Sequence, residues 1–127
     1  MGSSLGGLIS LYAFFTYPEV FSFAGVMSPA FWFNQDDIFD FVQQAPFGDG
    51  AIYMDVGTHE TPDTPKLSAQ YVSDFKNMMR ILREKGYDEQ SCQSILAEGA
   101  IHHEREWAKR LPNSLRFWWK SLDLSVK

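Results

Sequence analysis

Apolar positions recur along this chain with two different periods, and the changes of period divide it into elements. Leu5 to Tyr17 carries a helical pattern that Pro18 closes. Phe21 to Met27 (Phe-Ser-Phe-Ala-Gly-Val-Met) predicts a strand, ended by the Ser28-Pro29 break. Asn34 is placed to cap a helix through Gln44. Ala51 to Val56 is apolar almost throughout, as in a strand buried on both faces, and Gly57-Thr58 ends it. The plainest helix runs from about Pro65 to Lys85. There Leu67, Tyr71, Phe75, Met78, Met79 and Leu82 recur at spacings of three and four, and Gly86 follows as a stop. Ser91 to Ala97 predicts the next strand. Glu104 to about Leu122 predicts a last helix, interrupted near Pro112.

Helices alternating with strands predict an α/β fold with a short, mostly parallel sheet of about three strands, flanked by helices. Residues 1–127 read as one domain, with no internal repeat. Three strands are few for this class, so the sheet reads as incomplete.

Composition sharpens that point. Eleven Phe, five Tyr and four Trp make 16% of the 127 residues. A chain of this size leaves roughly a third of its unfolded surface exposed after folding, which is too much to hide so many rings. An apolar surface awaiting a cover is the expectation. The net charge of −5 and the scattered basic residues argue against nucleic acid and anionic membranes as partners. A single cysteine, Cys92, excludes an internal disulfide. The apolar run Leu8 to Phe15 is too short for a membrane span, and no basic residue precedes it as in a signal peptide. A cytoplasmic location is expected.

Gly2-Ser3-Ser4-Leu5-Gly6 fits the G-x-S-x-G elbow, in which a serine on a sharp strand-to-helix turn projects its hydroxyl clear of the backbone. The next N–H, that of Leu5, then helps to bind an oxyanion. A flexible Gly/Ser leader is the plain alternative, but a helical pattern begins directly after Gly6, where an elbow helix starts. A serine nucleophile needs a base and an orienting acid, in the chain order Ser, acid, His for this turn. Asp55 lies inside a strand and Glu60 beyond its end. His59, His102 and His103 are the only histidines, the last two following the final strand. Each of these residues has an ordinary structural role open to it. Their joint order is harder to obtain by accident. A zinc site from His102, His103, Glu104 and Glu106 is disfavoured, because adjacent histidines diverge and no HExxH spacing exists. No metal and no cofactor is implied.

These segments resemble the putative-esterase family of α/β-hydrolases, which includes esterase-D-like, siderophore, feruloyl and mycolyl-transferring members. Met1 to Gly7 looks like its nucleophile segment, and Phe21 to Trp32 like the next strand with its Ser-Pro-x-x-Trp loop. Ile52 to Glu60 is similar to the strand and Gly-Thr-x-acid corner. Glu98-Gly99-Ala100-Ile101-His102, with Trp107 five residues on, is similar to the histidine segment. The resemblance selects Ser4, Glu60 and His102 as the catalytic residues and implies a carboxylic-ester hydrolase of small or aryl esters. Phe31, Trp32 and Trp107 become candidates for an aromatic substrate wall. It also implies a truncated α/β-hydrolase. The family's N-terminal strands, the strand leading into the elbow and the loop carrying the second oxyanion donor are expected to be missing. A slow enzyme follows, since one lost donor costs about 10²–10³ in turnover. Three readings compete: a small esterase completed by self-association, a C-terminal piece of a longer hydrolase, and a non-catalytic module that keeps the hydrolase residues.

Overall fold

The structure, a computed structural model, describes residues 1–125, without the side chains at 35, 36, 124 and 125. The chain runs through β1 (Gly2–Ser3), α1 (Leu5–Thr16), β2 (Phe23–Met27), a 3-10 turn (Phe33–Asp36) and α2 (Asp37–Gln44). It continues through β3 (Ala51–Gly57), α3 (Pro65–Lys85), β4 (Cys92–Ala97) and α4 (Glu104–Ser125). The strands form one four-stranded sheet in the order β1-β2-β3-β4, every neighbouring pair parallel. Among the described residues no helix is long and apolar enough to cross a membrane.

The period-two alternation of β3 explains the layering. Ile52, Met54 and Val56 point into one core with Leu11, Phe14, Phe31, Tyr71, Phe75 and Met78, contributed largely by α1 and α3. Ala51 and Tyr53 point the other way, into a smaller cluster with Met27 and Phe117 of α4. Helices thus cover both faces, and β2 and β3 are buried along nearly all their length, as their continuous apolar runs require. Asp55 shares the register of Ala51 and Tyr53, which turns a carboxylate at 0% exposure toward α4.

Two expectations change. The strand leading into the elbow is not wholly absent, because Gly2 and Ser3 pair with Val26 and Met27 and bring the sheet to four strands. A two-residue strand leaves no periodicity to read. The last helix is also continuous, with Pro112 inside it. Pro112 and Ala108, the residue whose carbonyl loses its donor, both lie on the exposed face, where water can serve that carbonyl. A smaller shift occurs at Asn34, which sits in the 3-10 turn with φ 54° and donates to Asp37 Oδ2 at 2.6 Å, so that α2 begins at Asp37.

The expected apolar surface is present. Leu5, Ile9, Tyr12 and Phe33 are exposed beside an open groove of about 470 Å³ between α1 and α2. On α4, Leu111, Leu115, Trp118 and Leu122 form an exposed stripe at helical spacing.

Candidate active site

In a wholly parallel sheet every loop that leaves a strand's carboxyl end emerges at the same edge. That brings together Ser4 after β1, Ser28 after β2, Glu60 after β3 and His102 after β4.

Ser4 occupies the single residue between β1 and α1, with φ 57° and ψ −121°. A side chain rarely adopts this conformation, and backbone bonds on both sides hold it here. The Ser4 N–H donates to Met27 O at 2.9 Å, and its carbonyl accepts from the N–H groups of Gly7, Leu8 and Ala30. The turn is tight enough to need glycine at Gly2, where a Cβ would lie 2.7 Å from the backbone of Gly6. Gly7 is nearly as constrained, with Met27 O 3.0 Å from such a Cβ, whereas Gly6 faces open space. Leu5 is the first residue of α1, so its N–H belongs to the helix-end donors that the helix itself does not satisfy, at the positive end of the helix dipole.

The Ser4 Oγ stands 2.9 Å from His102 Nε2, and His102 Nδ1 stands 2.7 Å from Glu60 Oε2. Glu60 is only 2% exposed and fully engaged. Its Oε1 accepts from the Gly57 N–H and from the Ser28 hydroxyl, each at 2.6 Å. Its backbone carbonyl accepts the His102 N–H at 2.9 Å, which ties the two loops together. A Cβ on Gly57 would lie 2.2 Å from Ala100 O, so this corner too depends on glycine. The His102 ring is held between Trp107, edge-on at 4.9 Å, and Tyr71 at 5.3 Å. Burial, joined by the nearby Glu60 carboxylate, raises Tyr71 above the ordinary phenol range, so it stands there as a neutral ring.

The remaining candidates lie elsewhere. His59 is exposed and bonds Thr58 Oγ1, and His103 is exposed and accepts the Arg105 N–H. Asp55 takes no part at His102. Its Oδ1 pairs with Arg110 Nη2 at 3.0 Å, and its Oδ2 accepts from the Tyr53 hydroxyl at 2.7 Å. Phe31 is at 0% exposure in the core against Phe39. Trp32 is 40% exposed and edge-on to Tyr71, and Trp107 flanks His102. Cys92 is buried, and burial pushes its thiol up to about 11, so it is no competing nucleophile at neutral pH.

Sequence reasoning passed over Ser28 and Arg110. Ser28 bonds Glu60, and Arg110 Nη2 donates to Ser28 Oγ at 3.0 Å. The signal for Arg110 was its place in the inward stripe of α4 with Ser114 and Phe117, all buried.

A family profile described as Putative esterase matches residues 1–118. The chain is 30% identical over 118 residues to the uncharacterized protein YbbA of Bacillus subtilis (strain 168), covering 92% of this chain and 47% of that one. Among solved structures it is similar to the siderophore hydrolase EstB from Aspergillus nidulans, with TM-score 0.68 and 20% identity over 92% of this chain and 46% of that one. The BES protein from Bacillus cereus matches with TM-score 0.64 and 23% identity over 91% and 42%. The two structures share this fold, and the chain spans about half the length of each of these relatives.

Proposed function

The chain belongs to the putative esterase family, and from that premise we propose that it is a serine carboxylic-ester hydrolase with Ser4, His102 and Glu60 as its triad. The observation that carries this reading is the unbroken line Ser4 Oγ, His102 Nε2, His102 Nδ1, Glu60 Oε2, with contacts of 2.9 and 2.7 Å. Glu60 accepts a hydrogen bond from the Nδ1–H of His102, which leaves Nε2 as the base. His102 takes the Ser4 proton as Oγ attacks the ester carbonyl, and the Leu5 N–H donates to the oxyanion. His102 then passes the proton to the leaving alkoxide. Water, activated by the same imidazole, releases the acid and restores Ser4. Trp32 and Trp107, the two candidate rings at the site edge, favour small or aryl esters.

The exposed groove beside α1, the stripe on α4 and the edge position of β1 support self-association as the way the working enzyme covers this surface. The alternatives are a C-terminal piece of a longer hydrolase, whose remaining part would cover the same surface, and a module without activity that keeps the same residues.

Hydrolysis of p-nitrophenyl acetate, measured on protein sized by light scattering, tests the reading. Turnover by an assembly larger than one chain is expected. Glu60→Gln should lower kcat by about 10³–10⁴, because an amide no longer enforces the productive imidazole tautomer. Wild-type rates in folded Glu60→Gln would remove Glu60 from the triad. A folded wild type with no turnover would favour the piece of a longer hydrolase or the inactive module.

A further inference from the structure

We propose that Ser28 and Arg110 form a positioning relay behind Glu60, in which Arg110 orients the Ser28 hydroxyl and Ser28 orients the carboxylate toward His102. The proposal rests on the triad reading above and extends it to two residues that touch neither substrate nor nucleophile.

The polarity of this relay follows from donor inventory. A guanidinium only donates, so Ser28 Oγ can only accept from Arg110 Nη2 at 3.0 Å. The Ser28 hydroxyl proton is then free to go to Glu60 Oε1, at 2.6 Å. With the Gly57 N–H bound there as well, Oε1 holds two donors, and Oε2 is left to accept the His102 Nδ1–H. Arg110 remains charged throughout the working pH range, so it cannot reverse the order by losing a proton. One direction therefore runs from Arg110 through Ser28, Glu60 and His102 to Ser4.

Two further observations indicate that the hydroxyl at position 28 has a use beyond packing. Ser28 has φ 41°, a left-handed conformation that glycine adopts more easily than any residue with a Cβ. It is also at 0% exposure and held from behind by its N–H on Asp55 O at 2.9 Å. A residue kept only for the turn would have no need of the side chain. Among the described charged and titratable groups near Glu60 and His102 are Asp55 on β3, Arg110 on α4 and Tyr71 on α3, beside the exposed chain neighbours His59 and His103. Of these, Arg110 reaches Glu60 through the Ser28 hydroxyl.

The test compares Ser28→Ala and Ser28→Gly in the full chain. Both lose the hydroxyl, but glycine also relieves the backbone strain, so the two differ in stability. Against p-nitrophenyl acetate, kcat should fall about 10- to 100-fold in both, the range of a hydrogen bond to a charged group, with KM unchanged. A purely structural serine would instead let activity follow stability, with Ser28→Gly near wild type, and that result overturns the relay. The proton NMR signal of His102 Nδ1–H gives a readout independent of turnover. It should stand far downfield in the wild type and in Ser4→Ala, and shift or exchange away in both Ser28 variants. An unchanged signal in those variants overturns the relay and leaves the triad standing. Its absence from the wild type overturns both.

Discussion

Ser4→Ala is expected to remove ester hydrolysis almost completely, lowering kcat by about 10⁴–10⁶, while the chain folds as before. The size follows from the way triad residues act as one unit, so that losing the nucleophile costs nearly as much as losing the whole set. Folding should survive because Ser4 is held by its backbone. The bonds from its N–H to Met27 and to its carbonyl from Gly7, Leu8 and Ala30 are all retained by alanine. Among the described residues, the side-chain bond given up is the one to His102 Nε2. Steady-state rates and circular dichroism on the same preparation check both halves. Undiminished hydrolysis in a folded variant would place the nucleophile elsewhere.

The largest stability effect is expected at Arg110. Arg110→Met should destabilise the fold by about 3–5 kcal/mol, the usual consequence of removing one member of a buried ion pair. Asp55 at 0% exposure would then keep only the Tyr53 hydroxyl as partner. The same carboxylate, after burial, already holds the Tyr53 phenol far above its ordinary range. The pair is incompletely satisfied even in the wild type. Asp55 Oδ1 lies within charge contact of Arg110 Nη2 but lacks an aligned hydrogen bond, and Arg110 Nε and Nη1 have none among the described residues. Removing both charges should therefore cost less than removing one, so Asp55→Asn with Arg110→Met is expected to be more stable than Arg110→Met alone. Urea denaturation midpoints of the three proteins decide it. Equal stability of the single and double variants would contradict a charged, coupled pair.

The contrast between these residues shows what was legible in the sequence. Elements with several turns or alternations were plain, as in α3, where a stripe over 21 residues and Gly86 marked both ends. Ser4, Glu60 and His102 became candidates because each sits where a strand gives way to a loop, and a parallel sheet collects such loops at one edge. It was the resemblance to the esterase family that singled out Glu60 from Asp55 and His102 from His103. β1 was not readable, because two residues carry no period. Pro112 suggested a break and so hid the inward stripe that puts Arg110 opposite Asp55. The site role of Ser28 was invisible for another reason. Its bonds to Glu60 and Arg110 span 32 and 82 residues, and Ser-Pro after a strand reads simply as a stop. Phe31 could be read as substrate wall or as core, because an aromatic residue beside Trp32 gives no hint of which ring turns inward. The structure turns Phe31 into the core and leaves Trp32 at 40% exposure.

Ser4 is proposed as a nucleophile activated by His102 and Glu60. Treatment with a fluorophosphonate followed by intact-mass spectrometry and peptide mapping tests this most directly, because the reagent adds covalently to an activated serine far faster than to an ordinary hydroxyl. One adduct per chain is expected, located on Ser4, and none on Ser4→Ala or on His102→Ala. A folded wild type that gains no mass, or that carries the adduct on another residue, would contradict it.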